Sequence, residues 1–452
     1  MKHSRVTDLN TTANSVGPPL SPLPASPGDA VARWQYLLPI ILILYVVIAS
    51  THAFQAPIGA TGYQDAPDEE AHMTFVRVVA AGRMPSVDKP GVSPADNRPS
   101  YEWHQPPLYY FLAARFLPLG NMGVRLLSVL IGVVCILAIF LTARVLFSEQ
   151  PDVAILAAGI AALIPGHCAI TSVVNNDGLL ELCFSGHLLL LSIVLTRGLT
   201  ARRAMMLGSV LGAALLTKAT AVLLLPITIL ALLLLWRNGE TTRSVFRSAI
   251  IIAGAAAVIS GWWFIRNGVL YHEWLPLTAF QKSFEGTVKA TDVVSGGTGL
   301  PVDSWQSYAA LVAQWAFQSF FAVYSTPGGA QIGKPAFLPG QLYLLTAVAT
   351  FAVMAGLLAL LLRRRDEFTR SQMDGIRILV ATLGLVTASF VLFTAHYFQA
   401  QGRYFYPAML PISLLSALGW RALFPQRYVR AASVLLLTFL SVFCLAFLRY
   451  TA

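Results

Sequence analysis

The chain is dominated by apolar runs of membrane-crossing length, and no other feature limits its folding so severely. A helical span needs roughly 20 apolar residues, because the hydrocarbon core is about 30 Å thick and an α-helix rises about 1.5 Å per residue. Eleven segments qualify, at approximately 35–52, 121–145, 153–173, 179–197, 203–218, 219–236, 247–266, 340–362, 377–396, 404–422 and 429–448. Charged residues make up 12% of the 452, against roughly 25% in soluble domains, which excludes a water-soluble globular protein. The net charge of +10 therefore reads as topology-setting arginine, and no nucleic-acid partner is expected. Cys135, Cys168, Cys183 and Cys444 all lie inside apolar runs, as small buried residues do, and form neither a disulfide nor a zinc framework.

Residues 1–33, rich in Pro, Ser and Thr, are expected to be a disordered cytoplasmic tail. The apolar segment beginning at Trp34 lacks a small-residue cleavage pattern and is expected to remain as an anchor. From 34 to 452 the sequence reads as one transmembrane domain. Its hardest stretch is 203–236, since 34 residues of helix would reach about 51 Å. As one span it would put eleven arginines, from Arg237 to Arg430, on the non-cytoplasmic side, against the positive-inside rule. Two short spans turning near Lys218 put all of them inside. Two long loops, 53–120 and 267–339, then face the opposite side, where the chemistry is expected.

The first outer loop holds seven of the chain's 21 acids: Asp65, Asp68, Glu69, Glu70, Asp88, Asp96 and Glu102. Pro67 and the acids after it mark a helix start that ends near Gly82, and on that helix Asp68 and His72 share a face. A second group follows in Tyr101-Glu-Trp-His-Gln-Pro-Pro-Leu-Tyr-Tyr-Phe111. Its prolines block one helix and start an interfacial one over 107–117, so Glu102, His104 and Gln105 sit at lipid head-group depth. Blander readings stay open: acids satisfying a helix dipole, and aromatics such as Tyr109 anchoring an interface.

Three cations stand at the outer membrane level. The short span before Lys218 makes it snorkel or face a polar cavity, and Arg266 and Arg403 end other spans. Arginine suits bidentate phosphate contacts and lysine a point contact, so the three form a candidate phosphate cradle. Asn175, Asn176, Asp177 and Glu181 mark another outer helix start, as caps or as site residues. His167, His187 and His396 read as paired core histidines.

The segments APDEEAH (66–72), AGRMP (81–85), EWHQPPLYY (102–110), VVNNDGLLE (173–181), LLTKATAVLLLP (215–226), WWFIRNGVLY (262–271) and QGRYFYPAMLP (401–411), taken in order, resemble the polyprenyl-phosphate-dependent glycosyltransferases of the GT-C fold. These include protein O-mannosyltransferases and lipid A aminoarabinose transferases. The resemblance implies an all-α polytopic fold of about 11 transmembrane helices, with interfacial helices in the first outer loop. It also implies a bacterial inner-membrane enzyme, active on the periplasmic face, moving a sugar from a polyprenyl phosphate to a glycan, lipid or protein acceptor with inversion. Asp68 falls where the family has its base, with Glu69 beside it, and Glu102 maps to a second family acid. Lys218, Arg266 and Arg403 are expected to hold the donor phosphate. His72, His104, Gln105, Tyr109, Asn176, Asp177 and Tyr404 complete the expected substrate contacts. Asp68, Glu69 and His72 also suit a divalent ion, but Asp65 and Asp68 lack the Asp-x-Asp spacing of metal-dependent relatives such as oligosaccharyltransferases, so no cofactor is expected. The competing function is a lipid-linked sugar flippase or secondary transporter, which would favour ionisable residues at mid-membrane and broken helices in paired halves.

Overall fold

The structure is a computed structural model that describes residues 37–56, 66, 68–87, 101–323 and 337–451. The expected N-terminal tail and Asp65, Asp88 and Asp96 lie outside the described residues.

In chain order, α1 (Leu37–Gln55) leads to α2 (Glu69–Ala80), and a 3-10 turn over Tyr101–His104 precedes α3 (Leu108–Phe116) and α4 (Gly120–Leu146). Next come α5 (Pro151–Ala162), α6 (Pro165–Ile170), α7 (Asp177–Arg197), α8 (Ala201–Leu215), α9 (Leu224–Arg237) and α10 (Thr242–Tyr271). Helices α11 (Leu277–Ser283), α12 (Ala290–Val294) and α13 (Trp305–Phe321) occupy the second long loop. The chain continues through α14 (Gly340–Arg363), α15 (Arg370–Thr394), α16 (Met409–Ala422) and α17 (Gln426–Thr451).

Every one of the eleven apolar segments contains a helix, but among the described residues eight helical stretches are long and apolar enough to cross a membrane. The other three are α5, α8 and α16, of 12, 15 and 14 residues. At about 1.5 Å per residue these fall short of a 30 Å core, so their lengths do not carry the expected count of eleven. Each has a local cause. Pro165, at the first position of α6, cannot continue α5; a 3-10 segment over Gly402–Ala408, with Pro407 inside it, precedes α16; and α8 stops at Leu215. The chain is an integral membrane protein, and the expected division of 203–236 is present as a break over 216–218.

The core lies around α7, whose apolar window is 72% buried, whereas α14's is 11% buried and faces lipid. Helix α8 packs closely on α10 because Gly208 and Gly212, one turn apart, present no side chain. A Cβ at Gly208 would lie 2.4 Å from the Ile252 carbonyl oxygen, and one at Gly212 would lie 2.8 Å from Ile259 Cβ. The break after α8 is itself tied down, with the Leu108 amide donating to the Leu216 carbonyl at 2.8 Å and Asn176 Nδ2 to the Thr217 carbonyl at 3.2 Å. Lys218 is thereby fixed against the starts of α3 and α7.

All four cysteines are buried, so an introduced surface cysteine reports cleanly. An impermeant thiol reagent is expected to label Ser295→Cys, near the second-loop helices, from one side of the membrane and Thr242→Cys, at the head of α10, only from the other. Labelling of both from the same side would overturn this topology.

Candidate active site

Asp68 precedes α2 with φ 62° and ψ 6°, one of two non-glycine residues at positive φ among the described residues. Such a left-handed residue costs about 1–3 kcal/mol and persists only where its surroundings enforce it. Its carboxylate makes no cap to its own helix. Instead Oδ1 accepts from the Tyr101 hydroxyl at 2.9 Å and Oδ2 from Arg403 Nη2 at 2.5 Å. Arg403 Nη1 lies 3.8 Å from Asp177 Oδ2, and Asp177 Oδ1 accepts from Lys218 Nζ at 2.5 Å. Asp68, Arg403, Asp177 and Lys218, drawn from four separate regions of the chain, thus form one line of alternating charge, with the Tyr101 hydroxyl at its end.

This line walls a cavity of about 730 Å³, which His72, Glu102, Gln105, Tyr404, Phe280 and Phe284 also line. Glu102 is 8% exposed and, among the described residues, neither its Oε2 nor Arg403 Nε has a hydrogen-bond partner. Burial pushes the Asp68 carboxyl up, but the Arg403 guanidinium, with help from His72 and the Tyr101 hydroxyl, holds it below the usual aspartate value. Burial lowers His72, although Glu102 and Asp68 oppose the shift. His72 Nδ1 and the Tyr110 hydroxyl are 2.9 Å apart, which fixes the ring against the cavity wall.

Several expected site residues stand elsewhere. Glu69 does not line the cavity: it is fully buried, paired with Arg125 through Nε at 2.7 Å and Nη2 at 2.5 Å, and its Oε1 also accepts from the Val174 amide at 2.9 Å. Arg266 is separate from Lys218 and Arg403, donating from Nη2 to the Pro85 carbonyl at 2.7 Å and lying over Trp263 at 4.8 Å. His104 turns to the Tyr101 carbonyl and to Phe280, and burial pushes it down to about 4. The Tyr109 hydroxyl lies 3.3 Å from Ser128 Oγ within the core. Asn176 holds the 216–218 break, while Asn175 Oδ1 caps α7 by accepting from the Asp177 amide at 2.9 Å. Glu181 pairs with His167 Nε2 at 2.9 Å, and His187 Nε2 with Thr228 Oγ1 at 2.8 Å, the paired-core arrangement expected of those histidines. Among the described residues no three His, Cys, Asp or Glu side chains gather as metal ligands.

The sequence reading passed over Arg125 and the role of Tyr101. Arg125 is an arginine placed early in the apolar run of α4, a position that hydrocarbon tolerates only for a paired charge, and this was the available signal. Besides Glu69 it donates from Nη1 to the Ala53 and Ala56 carbonyls at 2.6 and 2.8 Å. It therefore joins the end of α1, the head of α2 and the loop before α7.

Residues 104–264 match the sequence profile of the dolichyl-phosphate-mannose-protein mannosyltransferase family. No curated protein sequence matches the chain. Among solved structures the chain is similar to ArnT from Cupriavidus metallidurans bound to undecaprenyl phosphate, at 14% identity and TM-score 0.53, over 92% of this chain and 64% of that one. It is also similar to the oligosaccharyltransferase of Archaeoglobus fulgidus in its apo form and, as AglB, in complex with an inhibitory peptide and a dolichol-phosphate. Both of these give 14% identity and TM-score 0.51, over 92% of this chain and 56% of theirs. The fold is that of the GT-C glycosyltransferases, as the sequence resemblance implies.

Removing one member of the Arg125–Glu69 pair leaves the other charged, buried and without its counter-ion, at about 3–5 kcal/mol. Glu69→Gln and Arg125→Met are each expected to lower the thermal unfolding midpoint of purified protein sharply, and the double variant Arg125→Met with Glu69→Met by less than the two single effects added. Strict additivity would remove the pair's structural role.

Proposed function

We propose that the protein is a membrane glycosyltransferase that moves a sugar from a polyprenyl phosphate to an acceptor hydroxyl or amine, with Asp68 as base and inversion at the anomeric carbon. The observation that carries this reading is the alternating line of Asp68, Arg403, Asp177 and Lys218 along one cavity wall. It places a carboxylate beside two cations, the combination needed to deprotonate a nucleophile and to stabilise a departing phosphate. The acceptor's lone pair attacks the anomeric carbon as its proton passes to Asp68. The carbon–oxygen bond to phosphate breaks, and the phosphate leaves with the bonding electrons facing Lys218 and Arg403. Before the donor binds, Arg403 holds Asp68 as a weak base. A donor phosphate that draws Arg403 to itself withdraws that stabilisation and strengthens the base at the moment it is required.

Three further observations support the reading. Glu102 Oε2 and Arg403 Nε are buried polar atoms beside the cavity without partners among the described residues, suited to sugar hydroxyls and phosphate oxygens. A second groove of about 490 Å³, lined almost wholly by apolar side chains, shares Phe390 with the cavity and matches the chemistry of a prenyl chain. The structural relatives include proteins described with undecaprenyl phosphate and dolichol-phosphate. By the positive-inside rule the arginine-rich connections support a cavity on the non-cytoplasmic face, and the setting we propose is a bacterial inner membrane. Acceptor class, whether glycan, lipid or protein, and the identity of the sugar are to be read from the lipid-linked sugars that accumulate when the protein is absent.

The test is transfer of radiolabelled sugar from polyprenyl phosphate by purified protein. Asp68→Asn is expected to abolish transfer while retaining donor binding, because the amide keeps the shape and cannot take the proton. Lys218→Met is expected to reduce donor affinity and turnover together, since the charge on the phosphate grows in the transition state. Wild-type transfer by Asp68→Asn would remove it as the base.

The pH profile supplies a separate test. With its pKa depressed, Asp68 stays a carboxylate to lower pH than an ordinary aspartate, and kcat/KM is lost only as pH falls through that depressed value. Arg403→Gln leaves burial unopposed by the guanidinium, so the acidic limb of kcat/KM is expected to move to higher pH. An unmoved limb would show that Arg403 does not govern the base.

A further inference from the structure

At the opposite membrane face from the catalytic cavity lies a second polar concavity. Helix α9 runs from Leu224, beside the cavity-lining Leu223, to Arg237, and α15 runs back from Arg370 to the level of the cavity-lining Phe393. Between those far ends is a pocket of about 430 Å³ lined by Arg237, Arg365, Arg370 and Arg377, with Phe368 and Met373 on its apolar side.

The charges of this pocket do not cancel. Of its two carboxylates, Asp374 is 1% exposed and already committed to Arg377 and to Asn238 Nδ2, the latter at 2.5 Å. Asp366 forms no ion pair among the described residues, and neither do Arg237, Arg365 or Arg370. Arg370 also heads α15, whose first turn contains no acid, so a cation stands where the helix dipole disfavours one. Arg237, Arg365 and Arg370, lining one pocket without carboxylate partners among the described residues, repel one another, and a bound anion relieves that repulsion. Guanidinium geometry favours phosphate oxygens.

We propose that this pocket binds the phosphate of an anionic phospholipid, whose acyl chains lie along α14. The helix has the apolar flank required: its window is the least buried of the eight spans, and Leu358 and Leu362, near the end that leads into Arg365, are 57% and 74% exposed. A free phosphate shares the headgroup chemistry but makes no use of that flank, nor of Phe368 and Met373. By the positive-inside rule the lipid belongs to the cytoplasmic leaflet, so the site is distinct from any donor site and does not depend on the proposed transferase activity.

The test uses full-length protein purified in detergent, with lipid retention read by native mass spectrometry and the thermal midpoint read in parallel. The probes are phosphatidylglycerol, phosphatidylcholine and inorganic phosphate. Phosphatidylglycerol is expected to be retained and to raise the midpoint, with phosphatidylcholine and phosphate giving neither effect. Arg365→Gln combined with Arg370→Gln is expected to weaken phosphatidylglycerol binding on the order of tenfold or more. Arg363→Gln with Arg364→Gln, which removes the same charge from the neighbouring end of α14 outside the pocket, keeps wild-type binding. Equal losses in the two double variants would show a general charge effect and overturn the site. Equal retention of phosphatidylcholine would do the same, and a midpoint rise with inorganic phosphate matching that with phosphatidylglycerol would overturn the lipid as its occupant.

Discussion

Everything at the site depends on one charge pair held away from water. Arg125 is fully buried in α4, and a guanidinium at that depth is tolerable only if each of its faces is engaged. Glu69 takes two of its donors, and the carbonyls of Ala53 and Ala56 take a third nitrogen. The same carboxylate accepts the Val174 amide. Three segments that bring the cavity wall together are therefore referenced to a single side chain, and Asp68, one residue before Glu69, inherits its position from that anchor. The left-handed backbone of Asp68 is the local consequence: Glu69 is pulled inward while Asp68 must face the cavity.

This division of labour between neighbours explains what the sequence revealed and what it withheld. Successive residues on an α-helix are about 100° apart, so Asp68 and Glu69 cannot serve the same space, and an acidic doublet does not say which member faces which way. His72 does share the cavity with Asp68, although the helix starts at Glu69 and it is the left-handed backbone of Asp68, not the helical period, that brings the two together. Lys218 and Arg403 were legible because each stood where the hydrocarbon or the charge rule made it unwelcome. Arg266 met the same criterion and engages the Pro85 carbonyl and Trp263 instead. Position along a span sets depth, but azimuth around the bundle decides which cations converge.

The helices show a similar limit. Apolar runs were sufficient to locate all eleven segments, because hydropathy is a local property. It does not register where a run is interrupted by geometry, as at Pro165 or in the 3-10 segment over Gly402–Ala408, and those interruptions leave three helices too short for a full crossing. Two of the breaks matter to the site: 216–218 delivers Lys218, and 402–408 carries Arg403 and Tyr404. An unwound stretch exposes backbone groups that must be paired, and here Leu108 and Asn176 pair them from the site's own elements. Lys218 is consequently mounted on structure that the acidic side of the site helps to hold.

The alternating line of charge has a consequence for what the cavity refuses. With Asp68 and Asp177 already neutralising Arg403 and Lys218, the wall offers little net attraction to a small ion from solution. An incoming anion must first separate both of these short, largely desolvated ion pairs, and chloride or free phosphate brings no compensating apolar contact with which to do so. An anion carried on a long hydrocarbon chain does bring it, through burial along the adjoining groove. On the proposed reading, discrimination against the abundant anions of the surrounding water follows from the resting pairing of the wall and needs neither a lid nor a size filter.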